Sequence, residues 1–185
     1  MAVYITYYVH STTTDNLEKL STGWLPGKLS EKGIMQANAL KEFTSKEKFD
    51  VIFASDLQRA IESANIFLID SGLTINTDSR IRECNYGVLN GKKDELVVYA
   101  DHITTPFEEG ESLVDVENRI KDFLLFLTEN YDGKSVALVA HKAPQLAIEK
   151  IVRGYSWEEA LEKDWRNTKA WQPGWKYTIE KEMLR

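Results

Sequence analysis

Two of the three histidines in the 185-residue chain stand where apolar runs stop. His10 ends "VYITYYVH" and His141 ends "SVALVAH". Far from both in sequence, Arg59 lies early in the helix-patterned "DLQRAIESANIFLIDSG", and Glu83 follows the weaker strand pattern "LTINTDS". Two imidazoles, a guanidinium and a carboxylate form a set suited to phosphoryl transfer from a monoester. One neutral imidazole can attack phosphorus in line, the second imidazole and the guanidinium can stabilise charge on the equatorial oxygens, and the carboxyl group can protonate the leaving oxygen. Arginine suits such a place because its planar fork meets two oxygens at once, and a helix N-terminus adds main-chain N–H groups for an anion.

These residues need elements that deliver them to one place. Residues 3–9 are β-branched and aromatic, as in a buried strand, and residues 135–140 form the unbroken apolar run of a parallel strand covered on both faces. "FDVIFAS" reads as another strand and "GWKYTIEKE" as an alternating edge strand. Between them lie helix patterns. "LSEKGIMQANALKEFTS" has Ser30 as N-cap and Ile34, Ala37, Leu40 and Phe43 at helical spacing. "LVDVENRIKDFLLFLTENY" begins at an S-x-x-D cap, Ser112 and Asp115, and predicts about five turns with Val116, Ile120, Phe123, Leu124 and Leu127 on one face. "APQLAIEKIVRG" and "SWEEALEKD", the latter capped by Ser156 and Glu159, complete the helices. The segment 84–111 is irregular, broken by Gly87, Gly91, Pro106 and Gly110, and reads as a lid-like excursion with one short helix around Asp94 to Ala100.

Alternating strands and helices predict an α/β fold: a three-layer αβα sandwich whose mostly parallel sheet carries helices on both faces. Sites in such sheets form at the carboxyl ends of strands, where strand order switches, and both histidines fall at that kind of position. One domain over 1–185 is expected from length alone, at roughly 150 residues per domain. With 43% hydrophobic and 28% charged residues the composition is that of an ordinary globular chain. A net charge of −6 argues against nonspecific binding to nucleic acid or an anionic membrane, while leaving room for a local basic pocket. The single cysteine, Cys84, allows no internal disulfide, and residues 1–30 lack a signal-peptide pattern, so a cytoplasmic protein is expected.

The motifs carry a resemblance. "VHSTTTDN" is similar to the Arg-His-Gly-Glu-Thr-x-x-Asn opening of the histidine phosphatase superfamily, the clan of acid phosphatases and phosphoglycerate mutases. "LSEKGIMQANAL" resembles that family's LTxxGxxQA helix, "FASDLQRAIESA" its SSDLxRAxxTA segment, "IRECNYGVLNG" its LxExxxGxxxG stretch, "GESLVDVENRI" its GES helix and "ALVAH" its second histidine strand. The six segments occur in order from about Val3 to about Gly154. The resemblance implies a phosphoglycerate mutase-like fold and a phosphomonoester hydrolase acting on a small phosphorylated metabolite. It implies His10 as the nucleophile forming a phosphohistidine, Glu83 as proton donor, and Arg59 and His141 as the groups that bind and polarise the phosphoryl group. Asn16, with Ser11 and Thr13, would add secondary hydrogen bonds. No metal or organic cofactor is implied, and oligomeric state is open.

The opening motif departs from the family at Val9, where the family has the arginine that holds phosphate. Lys142, in place of a usual glycine, is a candidate for supplying the missing charge, though a point charge lacks the two-pronged geometry of arginine. Trp24, in the loop after His10, is a candidate for the pocket edge. The compact chain favours a phosphatase over a mutase, and Val9 keeps open a catalytically impaired member that binds a phosphorylated ligand or a protein. His10, His141 and Glu83 could also ligate zinc, but the chain has no short paired-ligand motif. His102 and Cys84 read as a loop histidine and a buried small residue. "DWRNTKAWQPGW", with three of the five tryptophans, reads as a segment pinned to the core or stacked on a ligand.

Overall fold

The computed structural model describes residues 2–184, so the two terminal residues of the expected 1–185 domain lie outside it. Its main sheet has the order β4 (Ile75–Asp78), β3 (Val51–Ser55), β6 (Ser135–Ala140), β1 (Ala2–Val9), β7 (Trp175–Glu180). The first four strands run parallel, and β7 closes the edge antiparallel to β1. A two-stranded antiparallel ribbon joins β2 (Leu20–Ser21) to β5 (Lys92–Lys93).

Strand alternation explains why the central runs are apolar at every residue. Val51, Phe53, Val136 and Leu138 enter one core with Val3, Ile5 and Tyr7; Ile52, Ala54, Ala137 and Val139 enter a second with Tyr8. The first core is covered by α4 (Leu113–Asn130) and α5 (Lys142–Arg153), the second by α2 (Glu31–Thr44) and α3 (Gln58–Phe67). This is the expected three-layer sandwich. On α4, Val116, Ile120, Phe123, Leu124 and Leu127 are all fully buried, as their spacing predicts, and the Ser112–Asp115 capping box is formed.

Two expectations are corrected. The buried stripe of α2 is Gly33, Ala37, Leu40 and Thr44, whereas Ile34 and Phe43 face outward. The reason is a close approach: a Cβ on Gly33 would lie 2.0 Å from the Thr12 carbonyl oxygen, so the helix turns its smallest residue toward the His10 loop. The excursion contains no α-helix at 94–100. Two 3₁₀ turns, Asp94–Leu96 and Tyr99–His102, stand there instead, because Lys92 and Lys93 pair with β2 and the chain bends sharply around that ribbon. Three short helices complete the chain: α1 (Thr14–Leu17), α6 (Trp157–Glu162) and α7 (Trp165–Thr168). Of these, only α6 is legible as a sequence pattern. Among the described residues no helix is long and apolar enough to cross a membrane.

Candidate active site

The central strands β1 and β6 end side by side, with Val9 in register with Ala140. The ladder continues one step further, since the His10 amide donates to the Ala140 carbonyl at 3.0 Å. The ring centroids of His10 and His141 therefore sit 5.1 Å apart although the residues are 131 positions apart in sequence. A cavity of about 720 Å³ opens over these strand ends, and His10, Arg59 and Glu83 line it.

His10 is half-buried and its tautomer is fixed locally. Nδ1 lies 2.8 Å from the Ser11 carbonyl oxygen, which can only accept, so Nδ1 carries the proton and Nε2 keeps its lone pair. Burial and the charge of Arg59 push the His10 pKa down to about 3, so the ring is neutral at neutral pH. His141 is fully buried and held neutral in the same way, by burial, by Arg59 and by His10. Neither of its ring nitrogens has a partner among the described residues, and its main chain is clamped by Tyr7. The Tyr7 hydroxyl donates to the His141 carbonyl at 2.6 Å and accepts from the His141 amide at 3.0 Å. The His141 ring is not itself part of the cavity wall and lies beside His10, which is.

The loop after His10 is gripped by three residues of one helix. Ser30 donates to the Thr12 carbonyl from both its amide and its hydroxyl, at 3.0 Å each. Gly33 packs against that carbonyl, and the Gln36 side-chain oxygen accepts from the Thr12 amide at 3.1 Å. The spacing S-x-x-G-x-x-Q is thus a clamp on the histidine loop. A second latch comes from α3, where Ser63 Oγ accepts from the Ser11 amide at 2.9 Å and donates to the Arg59 carbonyl.

Arg59 is 2% exposed. Its Nη1 donates to the Leu25 carbonyl at 3.0 Å and its Nη2 to the Gly23 carbonyl at 2.8 Å, which leaves donors for a cavity anion. Burial lowers its pKa, while Glu83 acts in the opposite direction. Glu83 caps the N-terminus of α5: Oε1 accepts from the amides of Cys84 and Ala143, both at 2.9 Å, and Oε2 from Lys142 at 3.1 Å. The loop carrying Glu83 is fixed by Arg119, which donates to the carbonyls of Arg80, Arg82 and Glu83 and pairs with Glu111 at 2.8 Å.

The remaining sequence candidates divide. Asn16 and Lys142 line the cavity. Ser11 is buried and instead borders an adjoining, more apolar hollow of about 510 Å³ that shares Val9, His10, Thr12 and Trp165 with the main cavity. Thr13 lies outside the cavity wall: fully buried, it caps α1 in a reciprocal box with Asn16, because a hydroxyl ahead of a short helix meets its free amides first. Trp24 also falls outside the wall. Its indole N–H donates to the Glu83 carbonyl at 2.7 Å and its ring lies under Arg82 at 4.8 Å, so it steadies the Glu83 loop from behind. His102 stacks on Phe107, and Cys84 is buried. Among the described residues no group of three or more His, Cys, Asp or Glu could hold a metal.

Tyr7, Trp165 and Arg166 have no motif of their own. Tyr7 holds the His141 main chain, whereas Ser63, in the same segment as Arg59 and four residues after it on one helix face, is legible from that spacing. Trp165 and Arg166 line the cavity from α7, with Arg166 anchored by buried Asp164 and Trp165 by Gln145. Of the three late tryptophans, Trp165 and Trp175 stack at 5.0 Å and pin the segment, whereas Trp171 is exposed.

Comparison with known proteins agrees with this architecture. Phosphoserine phosphatase 1 of Hydrogenobacter thermophilus is 32% identical over 136 residues, covering 68% of this chain; the chain spans 64% of that relative's length. The 2,3-bisphosphoglycerate-dependent phosphoglycerate mutase of Bartonella tribocorum is 30% identical over 174 residues, 84% of each chain. The solved structure of a mycobacterial glucosyl-3-phosphoglycerate phosphatase superposes with a TM-score of 0.76 at 25% identity, covering 86% of this chain and 84% of that one. Residues 9–176 match the model of the histidine phosphatase superfamily, branch 1, and with its strand-end histidines brought together in that fold the chain belongs to this superfamily.

Proposed function

We propose that the chain hydrolyses a small phosphomonoester through a phosphohistidine on His10. The observation that carries this reading is the neutral, Nδ1-protonated His10 ring, with His141 5.1 Å away and Arg59 and Glu83 lining the same cavity. In the first step Nε2 of His10 attacks phosphorus and the bond to the ester oxygen breaks, that oxygen taking a proton from Glu83. Arg59 and a ring N–H of His141 hold the equatorial oxygens as charge spreads over them. In the second step water attacks the phosphohistidine, Glu83 takes a proton from it, and the P–N bond breaks to release phosphate and neutral His10. Oε2 is the freer oxygen of Glu83 for that exchange, with one 3.1 Å bond against two at 2.9 Å on Oε1. Lys142 and Asn16 line the space left for the phosphoryl group or the ester's organic part, and the 84–111 excursion forms the wall that selects that part. The three named relatives act, by their names, on phosphoserine and phosphoglycerate derivatives, and a phosphorylated metabolite of that size suits the cavity. A cytoplasmic location fits a chain with one buried cysteine and small soluble substrates.

Turnover of 4-nitrophenyl phosphate by the parent protein and by His10→Ala tests the reading. Loss of about 10⁴-fold or more is expected, the scale seen when a covalent nucleophile is removed. Equal rates would reject it, and the impaired binder that Val9 suggests would take its place.

A further inference from the structure

Charge in the cavity points to a residue outside every recognised motif. Both imidazoles are neutral, so neither offsets the charge of a phosphoryl dianion in the ground state. Arg59 approaches from the α3 side with two of its N–H groups committed to main-chain carbonyls. On the other side of His10, where β1 ends, Val9 presents only an apolar surface to the cavity. Besides Arg59, three cations line the cavity, Lys19, Lys142 and Arg166, and the last two share one carboxylate. Asp164, 4% exposed, accepts from Arg166 Nη1 at 2.9 Å and faces Lys142 Nζ at 3.5 Å. Two cations on one buried carboxylate leave the cluster net positive, and both cations line the cavity.

The two differ in how firmly they are held. Lys142 is the looser, with its side chain 41% exposed and its ammonium over the Tyr99 ring at 4.8 Å. The Arg166 guanidinium is fixed on three sides: Asp164, the Gln145 side-chain oxygen at 3.3 Å, and the Trp165 ring at 4.4 Å. Trp165 itself donates to the same Gln145 oxygen at 3.1 Å. A guanidinium so oriented still has unused N–H donors and pays little ordering entropy when an anion arrives. Its charge is also felt at His10, where it adds to the forces keeping the ring neutral.

We propose that Arg166, seated on Asp164, is the second guanidinium of the phosphoryl site, binding the non-bridging oxygens from the side of the cavity where Val9 brings no charge. The assignment rests on the phosphatase reading for its catalytic part; its anion-binding part stands separately.

The test uses full-length parent, Arg166→Ala, Arg166→Lys, Val9→Arg/Arg166→Ala and His10→Ala proteins in two readouts: kcat/KM for 4-nitrophenyl phosphate, and the rise in Tm produced by inorganic phosphate. Arg166→Ala is expected to lose about 10²-fold in kcat/KM, the scale of deleting one preorganised donor, and at least half of the phosphate-induced Tm rise. Arg166→Lys, which keeps a cation on Asp164 and so guards against misfolding, should fall between. Val9→Arg in the Arg166→Ala background should regain at least tenfold, which a merely structural role for Arg166 would not allow. The assignment is overturned if Arg166→Ala stays within threefold of the parent with an unchanged phosphate effect, or if the folded double variant is no better than Arg166→Ala. Equal turnover by parent and His10→Ala would reject the phosphatase reading alone, and the phosphate-induced Tm rise would then decide the fate of Arg166 by itself.

Discussion

On the strand side of the cavity, His10, His141 and Arg59 are held through main-chain atoms: the Ser11 carbonyl, the doubly bonded Tyr7 hydroxyl, and the carbonyls of Gly23 and Leu25. On the C-terminal side, Lys142 and Arg166 are held through side chains, chiefly Asp164 and Gln145. The first arrangement inherits the rigidity of the sheet, because a group bonded to backbone moves only if a strand or helix moves. The second depends on a few side chains of α5 and α7 and can be rebuilt by a few substitutions. The nucleophile geometry can therefore stay fixed while the charges on the C-terminal side vary.

The sharpest way to break this contrast is to delete the strand-side cation. Arg59→Ala should lower kcat/KM for an aryl phosphate by about 10²–10³-fold, since it removes a preorganised donor and leaves the Gly23 and Leu25 carbonyls without their bonds. Steady-state kinetics on the folded variant checks it, and a loss smaller than that of Arg166→Ala would reverse the ranking of the two walls.

Next in size is the clamp on the histidine loop. Gly33→Ala would set a methyl group 2.0 Å from the Thr12 carbonyl, where backbone rather than a flexible side chain must yield. We expect a loss of about 1–3 kcal/mol in urea unfolding, the usual cost of overpacking, with turnover falling as the loop shifts. A neutral result would show that the His10 loop is softer than its hydrogen bonds indicate.

The last expectation is a pH dependence of stability. His10 and His141 titrate below 6.5 when folded, so the unfolded chain binds more protons wherever pH lies between their folded values and 6.5. Stability should be level above about pH 6.5 and fall as pH drops toward 3, each histidine contributing a slope of at most about 1.4 kcal/mol per pH unit. Urea titrations at pH 7, 6 and 5 would show it, and His141→Asn should flatten the curve. An unchanged slope in that variant would mean that the buried ring already exchanges with solvent.

Much of the frame was legible in the sequence for physical reasons. Apolar runs of strand length announce strands buried on both faces, Ser112 with Asp115 announces a helix start, and polar residues directly after such strands announce strand-end sites. The stripe on α2 departs from the sequence pattern because periodicity records which residues are apolar, while burial there is set by how closely the helix approaches Thr12, and that favours glycine over isoleucine. Thr13 and Trp24 stand off the cavity wall for a related reason: a hydroxyl and an indole N–H look like ligand contacts in sequence, yet each has a main-chain partner nearer than the cavity.

By itself the sequence determined the strand–helix alternation, the identity of the two strand-end histidines, and their company of Arg59 and Glu83. Those follow from local patterning and from motifs in which each residue type has one job. Only the tertiary structure decided which groups meet. It placed β6 beside β1 so that residues 131 positions apart face each other, turned Glu83 onto the start of α5, and brought Arg166 from the far end of the chain to the side where Val9 carries no charge. Such meetings depend on strand order and on the path of a short terminal helix, and neither leaves a periodicity or a spacing in the sequence.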